Sequence, residues 1–300
     1  MKKHRYAARL LAALLCLALT GGALTAALAG AVPAKVAPKS GVTVYQNAKA
    51  SVDASNLEEG FLTIRYTGGK NVKIKTQITK SGGTTYTYNL DRDGAAETFP
   101  LTEGNGSYDV KIFENTTGTK YAQAYACKVE LQLRDEFLPF LYSNQYVNFT
   151  ADSKVAAKAA ELIRGKDKQL DQVSELYHYV VGNLTYDYEL AKNVQSGYLP
   201  DVDAVLKSGK GICFDYAAVM TAMLRSQGIP CKLVVGYAGK IYHAWISVYI
   251  SGTGWIDKLI YFDGKAWSLM DPTFVSSGKG DKNVLNYVGD GSNYTQKYAY

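Results

Sequence analysis

Residues 209–225 read G-K-G-I-C-F-D-Y-A-A-V-M-T-A-M-L-R, and the rest of the chain is best understood outward from this stretch. The Gly209-Lys210-Gly211 turn delivers Cys213 to the first turn of a segment in which Ala217, Ala218, Val219, Met220, Ala222, Met223 and Leu224 put apolar side chains on every face. A helix that is apolar all round is a buried one. Its start, where N–H groups lack partners and the dipole is positive, suits a nucleophilic sulfur. The helix is predicted to stop at Gln227-Gly228-Ile229-Pro230, with glycine just past its end and proline beyond.

Strands follow. The first runs over 231–235. The second covers 241–250, with Tyr242, Ala244, Ile246, Val248 and Ile250 on one face and His243, Trp245, Ser247 and Tyr249 on the other. Tyr261-Phe262-Asp263-Gly264 signals a hairpin turn before a third strand over 265–271, on which Trp267, Leu269 and Asp271 share a face. An antiparallel pairing of the second and third strands with His243 opposite Asp271 would turn imidazole and carboxylate to the same side. Upstream, Ala151-Asp152-Ser153 caps a helix carrying Val155, Ala159 and Leu162. A second helix from about residue 168 carries Leu170, Val173, Tyr177 and Val180, with His178 on its solvated stripe. A polar loop over 186–200 and a short helix at 203–206 complete the approach to the central helix.

The stretch before residue 134 has a period of two. Leu62, Ile64 and Tyr66 alternate with polar neighbours; so do Val72, Ile74, Thr76 and Ile78, then Tyr86, Tyr88 and Leu90, then Tyr108, Val110 and Ile112. Glycine-rich turns separate them, as in a small antiparallel sandwich. Its last strand puts Cys127 on the inward face, where a free thiol serves as core. The expected fold class is α+β. The expected boundaries are a signal peptide at 1–29, a flexible leader at 30–44, a β-sandwich at 45–133, a linker at 134–150 and a helix-and-sheet domain at 151–300.

The signal peptide rests on the positive Lys2, Lys3, Arg5 and Arg9, the apolar run 10–19 and the small-x-small site Ala27-Leu28-Ala29. Cleavage would leave a secreted, extracellular or cell-surface protein without membrane attachment. Losing those four basic side chains lowers the formal charge from +6 to +2, which leaves no electrostatic footprint for nucleic acid. Cys127, Cys213, Cys231, His178 and His243 then remain, with no CxxC pair, so no metal site and no cofactor is expected. An odd count of thiols leaves at least one unpaired; a bridge between Cys127 and Cys231 stays open.

A cysteine at a helix start, a histidine on a strand and an acid on a neighbouring strand are the parts of a thiol nucleophile, its base and the base's orienter. The candidate catalytic residues are therefore Cys213, His243 and Asp271, with the Cys213 N–H as the first oxyanion donor. Gly211-Ile212-Cys213-Phe214-Asp215-Tyr216-Ala217, Gly228-Ile229-Pro230, Gly236-Tyr237, His243-Ala244-Trp245, and Trp267 with Asp271-Pro272-Thr273 resemble the transglutaminase-like superfamily of papain-like cysteine enzymes. The resemblance covers about residues 150–280 and implies a papain-like core, with nucleophile, base and orienting acid at those same three positions. It departs from the family at Phe214, where many members carry a polar residue, and in the insertion at 251–259.

It further implies acyl transfer from a peptide or glutamine amide to the thiol. Water then gives a protease or amidase, whereas a lysine amine gives a cross-linking transglutaminase. The implied partner is a protein or peptide substrate, cell-wall or surface associated. An inactive binding or adhesion module on the same fold is the alternative. Carbohydrate binding through the 24 tyrosines is the weakest reading, because alternating aromatics on strands need no ligand to explain them.

Overall fold

The computed structural model describes residues 35–256 and 293–300, together with the backbone of residues 260–262 and 267–269. Residues 1–29, part of the leader and Asp271 lie outside the described residues.

Two four-stranded antiparallel sheets open the described chain. One holds β1 (Val44–Gln46), β2 (Ala50–Asp53), β3 (Phe61–Tyr66) and β6 (Glu97–Pro100) in the order β1-β2-β3-β6. The other holds β4 (Ile74–Lys80), β5 (Thr85–Leu90), β7 (Gly106–Thr117) and β8 (Lys120–Leu131) in the order β5-β4-β7-β8. The period-two pattern does the sorting: Leu62, Ile64 and Tyr66 of the first sheet and Ile74, Ile78, Tyr86, Tyr88, Val110 and Ile112 of the second are buried in a common core. Cys127 is half-buried against that core, and burial pushes its thiol up to about 11.

Residues 134–150 pack closely instead of hanging between layers. Leu138, Pro139, Phe140, Leu141, Val147 and Phe149 are buried, and Phe61 stacks on Tyr142 at 4.9 Å between ring centroids. The helices follow: α1 (Lys154–Leu162), α2 (Gln169–Asn183), α3 (Tyr188–Asn193), α4 (Val202–Ser208) and α5 (Cys213–Ser226). Ser153 is the α1 N-cap residue, but the orphan N–H groups of Lys154 and Val155 are taken by Asp203 of α4, each at 2.9 Å. His178 is exposed on α2, as its stripe predicts. The loop expected over 186–200 contains α3, whose Asp187 cap accepts from the Leu190 N–H at 2.8 Å.

The two-residue strands β9 (Thr185–Tyr186) and β10 (Lys210–Gly211) pair in parallel. Helix α5 is buried from Asp215 to Ser226, with α1, α2 and α4 on one side and a sheet on the other. That sheet holds β11 (Cys231–Ala238), β12 (Ile241–Ile250), β13 (Gly254–Ile256) and β16 (Tyr294–Ala299) in the order β13-β12-β11-β16. β14 (Ile260–Phe262) and β15 (Trp267–Leu269) pair antiparallel with each other. The register expected between His243 and Asp271 lies outside the described residues.

The architecture is α+β, with antiparallel sheets and a central buried helix. Cys127, Cys213 and Cys231 are all free, so the open question of a Cys127–Cys231 bridge is answered by two separate thiols. Arg225, near the end of α5, is wholly buried and is satisfied by main-chain oxygens. Its Nε and Nη2 donate to Cys231 O at 2.9 and 2.7 Å, its Nη1 to Tyr142 O at 2.8 Å, and its Nη2 to Tyr300 O at 2.6 Å. One guanidinium thus joins the 134–150 connector, β11 and Tyr300, just past β16; burial pulls it down to about 10.

Candidate active site

The approach to Cys213 is built by glycines. Helix α4 ends on Gly209 in the left-handed region (φ 65°), which allows a sharp turn into β10. The parallel pairing then holds the strand: Thr185 N donates to Gly209 O at 2.8 Å, and Asp187 N donates to Gly211 O at 2.9 Å. Gly211 lies under the Asp215 side chain, and a Cβ there would stand 2.5 Å from the Asp215 Cβ, so no larger residue fits without movement. Asp215, fully buried at the third position of α5, reaches back to accept the Ile212 N–H at 2.8 Å. Its other oxygen accepts the Tyr198 hydroxyl at 2.7 Å. Burial raises the Asp215 carboxyl, the bonds from Ile212 and Tyr198 oppose it, and Asp187 adds to the rise; the net direction is up.

Cys213 is the first residue of α5 and is half-buried. Phe214 turns to Tyr146 in an edge contact at 5.3 Å. The helix carries the chain away from Cys213 over 14 residues, about 21 Å at 1.5 Å per residue. After Gly228, β11 runs back; from Cys231 to Gly236 it recovers about 17 Å at 3.3 Å per residue. His243 is paired with Gly236 across β11 and β12, so this return brings it to the Cys213 end of the helix-and-sheet layer.

His243 is 5 % exposed and lies on the face of β12 that carries Trp245, with ring centroids 6.4 Å from Trp245 and 6.3 Å from Tyr294. Gly236 is what lets that face close. A Cβ there would collide with Thr295 O and stand 2.9 Å from Trp245 Cη2, and a register shift in the β11–β16 pairing falls at this point. Tyr242, the preceding residue, points to the alternate face. Burial raises its hydroxyl, aided by Tyr298, Tyr237 and the Cys213 thiol.

Of the three residues picked out by sequence, Cys213 opens α5 and His243 lies toward the same end of β12, on the face opposite to Ala244 and Ile246, which pack with α5; Asp271 lies outside the described residues. Cys231, at the start of β11, is buried and in contact with Thr221, and burial pushes it up to about 12. Asp215 and Gly236 entered the sequence reading only as members of the quoted motifs, with no role given to them, and Tyr198 did not enter it. An acid three positions into a helix is the signature of half a capping box and could have revealed Asp215. Tyr198 had no local signal, because it acts 17 residues away. Among the described residues no cluster of three or more His, Cys, Asp or Glu side chains could hold a metal ion, and no helix is long and apolar enough to cross a membrane.

Comparison with known proteins agrees with this layout. Residues 156–258, from α1 to just past β13, match the family profile described as Transglutaminase-like superfamily. The chain is 27% identical over 197 residues to the uncharacterized protein YebA of Bacillus subtilis, covering 56% of this chain and 26% of that one. It is 24% identical over 151 residues to the kyphoscoliosis peptidase of Mus musculus, covering 46% and 21%. The chain thus spans about a quarter of the length of these curated relatives. Among solved structures it is similar to a candidate cysteine protease from Cytophaga hutchinsonii, with a TM-score of 0.42 and 15% identity over 86% of this chain and 84% of that one. With a cysteine opening the buried helix, a histidine on β12 and the family profile spanning both, residues 156–258 carry the profile of the transglutaminase-like superfamily.

Proposed function

We propose that this chain is an exported, cysteine-dependent acyl-transfer enzyme that attacks peptide or glutamine amide bonds through a thioester, with hydrolysis ahead of cross-linking. The observation that carries this reading is Cys213, half-exposed at the N-terminus of the buried α5, at the same end of the layer as His243 on β12. In the proposed cycle His243 takes the thiol proton, and the sulfur adds to the amide carbonyl carbon. The resulting oxyanion accepts from the Cys213 N–H, whose place at the start of α5 leaves it without a partner inside the helix. The C–N bond breaks as His243 returns the proton to the departing amine, leaving an acyl-thioester on Cys213. Water, or a lysine amine, then adds to the thioester with His243 accepting its proton. Collapse expels the sulfur, which regains the proton. Asp271 is assigned the role of holding the imidazole on the strength of the family resemblance. The sandwich of β1–β8 is proposed to hold a protein or cell-wall substrate, an analogy at the level of fold.

The test is incubation of the full chain with a glutamine-containing protein, a tagged amine and a peptide library, followed by mass spectrometry. Cut or deamidated products are expected. Tag incorporation would move the assignment to cross-linking. Cys213→Ala should lower product formation by roughly a thousandfold or more. A folded Cys213→Ala protein as active as the parent would overturn the reading, and a parent that binds the peptides but forms no product would favour the adhesion alternative. Export is checked separately by the N-terminal mass of the protein recovered outside the producing cell.

A further inference from the structure

The hairpin joining β11 to β12 ends in exposed aromatic and aliphatic side chains, Tyr237 and Tyr242 paired on one face and Ile241 on the other. Tyr237 is 40% exposed, Ile241 56% and Tyr242 57%, and the two tyrosine rings meet edge to face at 5.5 Å. Side chains of this size left in solvent on one hairpin end are uncommon unless something binds there. Tyr237 and Tyr242 pair one step beyond Gly236 and His243, at the end of the sheet toward which β11 returns from α5, and the Tyr146 ring contacts Phe214, the residue after Cys213.

Among the described residues, β11, β12, the turn between them and β16 hold no Asp or Glu; the turn carries Lys240 and β16 carries Lys297, while Lys232 lies at the far end of β11. Lys240 sits in the hairpin turn, next to Ile241, and is exposed. Lys297 is also exposed, with its ammonium 5.3 Å from the centre of the Tyr298 ring. Tyr298 is one of the groups that interact with the Tyr242 hydroxyl. An occupant that complements this surface presents a flat apolar ring to Tyr237 and Tyr242 and a carboxylate to the two lysines.

We infer that the Tyr237, Ile241 and Tyr242 end of the hairpin is a subsite for the acyl donor, taking a peptide that carries an aromatic side chain with an acidic residue next to it, close to the attacked amide. The inference rests on the function proposed above and adds the substrate class to it. An aromatic pair contributes roughly 0.5–1.5 kcal/mol beyond the area it buries, which corresponds to a preference of about tenfold for a ring over a methyl group. The lysines, being exposed, add less.

Three peptidyl chloromethyl ketones, ending in Glu-Phe, Glu-Ala and Lys-Phe, separate the contributions when their rates of alkylation of Cys213 in the full chain are measured beside that of iodoacetamide. Glu-Phe is expected to react about tenfold faster than Glu-Ala and a few times faster than Lys-Phe. In Tyr242→Ala the Glu-Phe to Glu-Ala ratio should fall toward one. In the Lys240→Ala, Lys297→Ala double variant the Glu-Phe to Lys-Phe ratio should do so. Because each ratio is taken within a single protein, a general loss of reactivity does not imitate either result. A thiol that reacts with iodoacetamide but treats the three ketones alike overturns this subsite and leaves the proposed function standing. So does a Glu-Phe preference unchanged in Tyr242→Ala. A thiol inert to iodoacetamide as well overturns both.

Discussion

The Tyr198 hydroxyl donates to Asp215 across 2.7 Å, and through Asp215 it holds the Ile212 N–H, the last backbone donor before the candidate nucleophile. A side chain from the loop before α4 thereby sets the orientation of the first turn of α5. Asp215→Ala strands a buried N–H and a hydroxyl, each costing about 1–3 kcal/mol when left unpaired. Urea unfolding should show that loss. Tyr198→Phe, which removes one bond and leaves the other, should cost about 1 kcal/mol. The raised Asp215 carboxyl also has a sign: the folded state holds this proton more tightly than the unfolded state, where an aspartate has its ordinary value of 3.8. Its contribution is therefore complete below that value and is lost as pH rises through the folded pKa.

Glu114 works in the opposite direction. Burial would raise its carboxyl, but hydrogen bonds from Lys70, Lys49 and Tyr66 overcome it and hold the group down at about 2, against 4.5 unfolded. The stability it gives is present above 4.5 and disappears as pH falls toward 2. Both lysines are about half exposed, so solvent screening limits the contribution to about 1–2 kcal/mol. Thermal melts of the parent at pH 6 and pH 3 should differ more than those of Glu114→Gln.

Gly236 is expected to tolerate no side chain. In Gly236→Ala the new methyl meets Thr295 O and the Trp245 ring, so β16 must move off β11 or Trp245 must leave its place beside His243. A loss of about 1–3 kcal/mol is expected from such overpacking, read as a lower urea midpoint together with a change in tryptophan fluorescence.

The three described thiols should react in a set order. Cys127 and Cys231, at about 11 and about 12, are ionised to less than about one part in a thousand at pH 7.5, whereas Cys213 is half-exposed at the helix start. Iodoacetamide under native conditions should label Cys213 first, and in urea all three. Native labelling of Cys231 at the rate of Cys213 would contradict its complete burial.

Arg225→Met removes the donors to Cys231 O, Tyr142 O and Tyr300 O together. Tyr300 O keeps its bond from the Leu233 N–H, so the loss falls mainly on the oxygens of Cys231 and Tyr142, and about 2 kcal/mol or more is the expected outcome in urea unfolding. Arg225→Lys should recover only part of it, because an ammonium cannot span the same planar fork.

Much of this architecture was legible because burial imposes a period. The run 217–224, apolar but for Thr221, can only be an interior helix, and α5 is one. Alternation along 241–250 separated Ala244 and Ile246 from Trp245, and these do lie in different apolar clusters. Where one side is solvent and the other barely buried, the signal fades. α3 has no buried residue, and β16 is exposed from Thr295 to Lys297, so neither stood out. The Tyr198–Asp215 and Arg225–Tyr300 bonds join residues far apart in sequence, a relationship no local pattern encodes. At the candidate site, residue types and spacing pointed to Cys213, His243 and Asp271, but the groups that brace the nucleophile became visible only in three dimensions.

The place of β16 bears on how this protein is born. Between Ala238 and Tyr294 the ribosome must add more than fifty residues before the free side of β11 finds its neighbour. Until then a nascent chain carries a bare strand edge next to Gly236, together with a guanidinium at Arg225 that still lacks its Tyr300 acceptor. Pairing of such high contact order is slow and leaves edges open to stray partners. A thiol assembled on this schedule would gain its finished surroundings only once β16 has paired, so a nascent polypeptide lacking that strand should stay silent.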